Sequence, residues 1–112
     1  MKKIAMLNCM KLNEICAGAS CMHAFNEKKA SFARYEGEEI SLVAFMRCNG
    51  CDALPESDEG LREKLDRLET IGTDVVHVGV CTKQEDGSRC PTMQTILDEI
   101  ERRSIPIVDG TH

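Results

Sequence analysis

The chain has 112 residues, enough for one domain with its own core and no covalent help. Its net charge is -5 and it has no Lys/Arg cluster, which argues against nucleic acid or an anionic membrane surface as a partner. With three Phe, one Tyr and no Trp, the core falls to Val, Ile, Leu and Met.

Met1-Lys2-Lys3-Ile4-Ala5-Met6-Leu7 imitates the opening of a signal peptide. The apolar run stops at Asn8, short of the roughly 7–15 residues of an h-region, and no small-residue cleavage site follows. No stretch approaches the roughly 18 apolar residues of a membrane span. A cytoplasmic protein is expected, where thiols stay reduced. Seven cysteines are then ligands or redox thiols rather than structural disulfides, and an odd count leaves at least one unpaired within the chain.

Lys2 to Cys9 reads as a first strand, its continuous apolar run suiting a parallel strand covered on both faces. The loop Met10 to Ala19 carries Cys16-Ala17-Gly18 and leads to Ser20 as an N-cap. A helix from Cys21 to Tyr35 follows, with Met22, Phe25, Phe32 and Ala33 on one side. Ile40 to Cys48 is a second strand, the most apolar segment of the chain, and it runs into the Cys-x-x-Cys turn Cys48-Asn49-Gly50-Cys51.

Pro55, Ser57, Asp58 and Glu59 open a second helix with acids in its first turn. Leu61, Leu65 and Leu68 mark its buried stripe, and Gly72 ends it. Asp74 to Cys81 is a third strand. Pro91 stands at the first position of a third helix, whose apolar face is Met93, Ile96, Leu97 and Ile100. Ile105 to Val108 is a fourth strand, and Asp109-Gly110-Thr111-His112 closes the chain.

Strict alternation of strand and helix predicts an α/β fold, a three-layer sandwich around a small parallel sheet of about four strands. Right-handed crossovers favour the flavodoxin-like order 2-1-3-4 in a single domain over 1–112. Cys9, Cys48 and Cys81 then stand at the C-terminal ends of three strands and His112 follows the fourth. Cys51, Cys16 and Cys90 lie in loops at the same edge, where open parallel sheets bind ligands. A free Cys is often only a small buried hydrophobe, but that reading does not explain why these fall at one edge.

A Cys-x-x-Cys turn chelates one metal through a tight bend, which Gly50 permits without a Cβ clash. Zinc takes four ligands at about 2.3 Å from sulfur, and strands about 4.8 Å apart let Cys9 share an ion with Cys48 and Cys51. Cys81 starts about 10 Å from Cys48, a span that an iron–sulfur cluster accommodates better. The rival chemistry is thiol–disulfide exchange through Cys48/Cys51, weakened because Asp52 follows the pair at once and Pro55 delays the helix. His77, inside a Val-rich strand, reads as a hydrogen-bonded core residue, and His23 as a surface or half-buried one. Asp109 and Arg47 could screen thiolate charge, although solvated roles are the simpler reading. No GxGxxG, P-loop or Ser-His-Asp signature is present.

The ordered set of Cys9, Cys16-Ala17-Gly18, Cys48-Asn49-Gly50-Cys51, Cys81, Cys90-Pro91 and Gly110-Thr111-His112 resembles the CGGC-domain proteins over essentially the whole chain. Asn49 replaces the first glycine of the family's motif, and Asn tolerates left-handed backbone, so the turn is expected to survive. The resemblance implies metal binding, usually supposed to be zinc, and no established reaction. The metal candidates are therefore Cys48 and Cys51 first, then Cys9 and Cys81, with Cys90, Cys16 and His112 as alternates. No substrate is indicated, and a sheet this small is compatible with a homodimer.

Overall fold

The computed structural model describes residues 1–11, 15–84 and 86–112. Four parallel strands form one sheet in the order β2-β1-β3-β4, the order expected from sequence. They are β1 (Lys2–Asn8), β2 (Ile40–Arg47), β3 (Val75–Val78) and β4 (Ile107–Asp109). The helices are α1 (Ala19–Glu27), α2 (Glu59–Thr70) and α3 (Pro91–Arg102). Short 3₁₀ turns at Ala30–Tyr35 and Val80–Thr82 complete the described elements.

The central strand shows why the sheet is covered on both sides. Ile4, Ala5, Met6 and Leu7 are all fully buried, and alternate residues of a strand point to opposite faces. Ala5 and Leu7 pack with Leu61, Leu65 and Leu68 of α2 and with Met93, Ile96 and Ile100 of α3. Ile4 and Met6 pack with Cys21 and Ala24 of α1 and with Phe32 and Tyr35. Each such Leu or Ile contributes roughly 1.5–3 kcal/mol by leaving water.

Helix ends follow their local chemistry. Asp58 caps α2 by accepting the Leu61 N–H at 2.8 Å. Gly72, left-handed at φ 74, ends it as expected, with Thr73 N–H on Leu68 O and Gly72 N–H on Glu69 O, the paired bonds of a Schellman motif. Pro91 is the first residue of α3. Arg103 beyond its end reaches Asp66 and Glu69 of α2, tying the two helices of that layer together.

Three elements depart from their expected bounds by more than one residue at an end. The helix expected over Cys21–Tyr35 begins at Ala19, after a left-handed Gly18 rather than a Ser20 cap, and breaks at Lys28. Lys28 and Ala30 adopt φ 51 and 50, at roughly 1–2 kcal/mol each, and the reversed chain drops Phe32 and Tyr35 into the core. The third strand stops at Val78, so Cys81 lies in the 3₁₀ turn beyond it and not at the strand's end. The fourth strand is Ile107–Asp109, shifted from the expected Ile105–Val108. Among the described residues no helix is long and apolar enough to cross a membrane.

Candidate functional site

The C-terminal ends of β1 and β3 meet the start of α1 at a cavity of about 250 Å³. It sits between the two inner strands, where the strand order reverses and the loops diverge. Four thiols line it, Cys9, Cys16, Cys21 and Cys81, together with His112.

Gly79 brings Cys81 to this wall. The chain passes Asn8 so closely that a Cβ on Gly79 would lie 2.1 Å from Asn8 Oδ1 and 3.3 Å from Cys81 Sγ. The following turn closes with the Thr82 hydroxyl donating to Gly79 O at 2.7 Å. Cys81 Sγ accepts the Cys9 N–H at 3.3 Å, and its S–H faces Asn8 Oδ1 at 3.6 Å. Burial pushes the Cys81 thiol up from its ordinary value against the pull of the Cys9 N–H, and the neighbouring thiols Cys9, Cys21 and Cys16 push it further.

The opposite wall is the start of α1. Cys16 is exposed, and its sulfur accepts the Gly18 N–H at 3.4 Å. Gly18 has no substitute here. Its φ is 76, and an added Cβ would press on the Phe45 ring at 3.2 Å. Cys21 is buried and shares a hydrogen bond with Thr111 Oγ1 at 3.2 Å.

That bond belongs to a strap that brings His112 to the rim. Gly110 N–H donates to Val78 O at 2.7 Å, and Thr111 is fully buried. His77 Nδ1–H donates to Gly110 O at 2.9 Å, which leaves Nε2 to accept the Tyr35 hydroxyl at 2.6 Å. The His77 ring stacks on Phe32 at 4.4 Å, and burial lowers its pKa from the usual value, so it is a neutral core residue. His23 is exposed.

The other three cysteines lie outside the cavity wall. Cys48 is 8% exposed and packs in the core with α2 and α3. Cys51 is exposed, and its carbonyl accepts the Thr92 hydroxyl at the start of α3. Cys90 is half-buried at the N-cap of α3. The Cys51 sulfur beside Lys11 holds that ammonium above the usual lysine range, with Cys9 and Cys90 adding to the rise. Asp109 does not screen the thiols. Arg89 at 2.8 Å and Lys83 at 2.9 Å hold its carboxyl below the usual carboxylate range.

The CGGC domain matches residues 3–112. The chain belongs to the CGGC-domain family. No curated protein and no solved structure matches it.

In this CGGC domain the Asn of the motif has a role that sequence did not indicate. Asn49 is not left-handed; the positive φ, 116, falls on Gly50. Asn49 Nδ2 donates to Asp58 Oδ1 at 3.0 Å, and Asn49 Oδ1 accepts Lys64 Nζ at 2.6 Å, which fastens the turn to α2. Thiolate and imidazole donors suit zinc or an iron–sulfur cluster chemically. Their spacing as placed does not: among the described residues, no three His, Cys, Asp or Glu side chains form a group that could hold an ion.

Of the seven candidates, then, the cavity gathers Cys9, Cys16, Cys81 and His112, while Cys48, Cys51 and Cys90 stand apart. Cys21 was not among them. The signal that could have included it is its place at the start of α1, since helix starts share the edge where strands end.

Proposed function

We propose that this CGGC domain is a thiolate metal-binding protein, zinc being the first choice of ion, with its centre at the C-terminal edge of the sheet. One observation supports the reading above the rest: Cys9, Cys16 and Cys81 come from separate loops and line one cavity beside His112. Cysteines that only fill space have no reason to share a cavity. Because the donors are not grouped for ligation as they stand, Cys9, Cys16 and Cys81 would have to close on a bound ion, with part of the binding free energy spent on ordering their loops. When bound, zinc holds its sulfur donors as thiolates. The chemistry suits a reducing compartment such as the cytoplasm.

The test is elemental analysis of anaerobically purified protein, with an absorption spectrum and a native thiol count. The expected result is about one zinc per chain, with Cys9→Ser and Cys81→Ser each lowering retention about tenfold or more. Cys51→Ser, outside the cavity, keeps the metal. Iron with a broad visible band would move the assignment to a cluster. No metal, with thiols that react readily and cycle with a disulfide, would overturn the metal reading.

A second reading, thiol–disulfide exchange at Cys48/Cys51, draws on the exposure of Cys51 and the ammonium of Lys11 beside it. Against it stand the burial of Cys48 and the start of α2 only at Glu59, too late for a helix N-terminus to act on the pair.

A further inference from the structure

The two edges of the sheet are built differently. β4 is three residues long and its Asp109 is held by Lys83 and Arg89, so that edge is short and charged. β2 is eight residues long, and its run Ile40-Ser41-Leu42-Val43-Ala44-Phe45-Met46 contains no charge and no Pro. The one feature that blunts this edge is an extra residue, Val43, between the pairs Ile4–Leu42 and Ala5–Ala44. Ile40, Leu42 and Phe45 pack on the α1 layer while staying partly exposed. An open groove of about 690 Å³ lies beside Ala44 and Met46, walled by Glu63 and Arg67 of α2.

Both ends of β2 fix which backbone groups point outward. Glu39 C=O accepts the Lys2 N–H at 3.0 Å and Cys48 N–H donates to Asn8 O at 3.3 Å, so both face β1. Backbone groups alternate in direction along a strand. With Val43 as the extra residue, Ile40, Leu42, Phe45 and Arg47 turn their N–H and C=O away from β1. Among the described residues only one of these groups is taken, the Arg47 carbonyl by Lys64 Nζ at 2.9 Å.

That outward set is symmetric. A second copy laid antiparallel beside β2 sets Leu42 against Phe45 and Ile40 against Arg47, with Val43 and Ala44 at the two-fold axis. The bulge then interrupts the ladder only at its centre, and Leu42 meets Phe45 as an apolar pair on the α1 face. Charge agrees with the same register. Arg47, its guanidinium 5.3 Å over the Phe45 ring, has no carboxylate partner among the described residues. The pairing brings it diagonally to Glu38 of the second copy, a side chain whose contact with Lys2, at 4.0 Å, is long and exposed. We infer that β2 pairs antiparallel with β2 of a second copy across a two-fold axis, joining two sheets into one. The pairing uses backbone groups of the outer edge and does not depend on the metal reading.

The test is sedimentation with amide hydrogen exchange on the full chain, reduced and anaerobic, from micromolar to millimolar concentration, with and without a chelator. A dimer, twice the 12.5 kDa of the chain, is expected to form as concentration rises, chelator or not. The N–H groups of Leu42, Phe45 and Arg47 should gain protection of about tenfold or more as it forms. Val43→Lys sets like charges at the axis and should weaken association about tenfold or more, with the fold kept by circular dichroism. Arg47→Glu should weaken it too, and adding Glu38→Arg, which swaps the two charges, should recover it. A chain monomeric throughout would overturn the self-pairing and leave the edge to an extended segment of another protein. A dimer whose β2 amides stay unprotected, one that chelator dissolves with the fold kept, one that Val43→Lys leaves intact, or a charge swap that recovers nothing would overturn it as well.

Discussion

At Gly79 the absence of a side chain fixes the position of a thiol. The backbone there runs against the Asn8 side-chain amide with no room for a methyl group as that amide stands, and only then does the chain curl to set Cys81 on the cavity. Gly79→Ala must displace the Asn8 amide and crowd the Cys81 sulfur, and overpacking of this kind costs about 1–3 kcal/mol. Denaturant unfolding should therefore show a lower midpoint with an unchanged slope, and stability equal to wild type would contradict the contact. Asn49 teaches the reverse lesson. Its type suggested backbone tolerance, yet its amide serves as a bridge between Asp58 and Lys64. Sequence could not show this, because both partners come from a helix whose approach to the turn is set by packing.

Between elements, the same Asp58 carboxylate caps α2 and holds Asn49. Asp58→Ala should lower stability through loss of the cap, and further where the Asn49 contact also counts. The Leu61 N–H, then the Asn49 amide, hold the Asp58 carboxyl below the usual carboxylate range. Its contribution is thus full above the unfolded-state pKa and fades as pH falls through the folded one. Urea midpoints of wild type and Asp58→Ala should differ at neutral pH and converge in strong acid; a constant gap would refute the cap.

Much of this layer was legible in advance. Continuous apolar runs marked the strands, Leu61-Leu65-Leu68 and Met93-Ile96-Ile100 marked α2 and α3, and their alternation implied the sheet order. The break at Lys28 was not legible, since Asn26-Glu27-Lys28-Lys29-Ala30 holds no Gly or Pro. It is forced from outside, by Phe32 finding His77. Strand ends likewise predicted which edge collects thiols, but not which way each loop leaves that edge. Cys9 and Cys81 turn toward α1 and the cavity, while Cys48 turns into the α2 and α3 layer.

On the scale of the molecule, one imidazole joins the sheet, the α1 layer and the C-terminal strap. His77 is stacked on Phe32, bonded to Tyr35 and bonded to Gly110. Burial, the main cause, lowers its folded pKa below the ordinary 6.5, with the Gly110 carbonyl opposing. The unfolded chain therefore takes up a proton here before the folded one, and stability declines as pH falls below about 6.5 toward the folded pKa. Thermal unfolding across that window should show the decline, and His77→Gln, which cannot titrate, should flatten it. An equal pH slope in the variant would remove His77 as the cause.

The two core clusters also differ in a chemical respect. Each contains one largely buried cysteine, Cys21 on the α1 side, where it also lines the cavity, and Cys48 on the α2 and α3 side. A thiol reagent approaches Cys21 through the cavity, whereas Cys48 is shielded until the α2 and α3 layer loosens from the sheet. The native chain thus carries two internal reporters, and the rates at which these sulfurs are modified read the access to the cavity and the breathing of the α2 and α3 layer separately, with no label added.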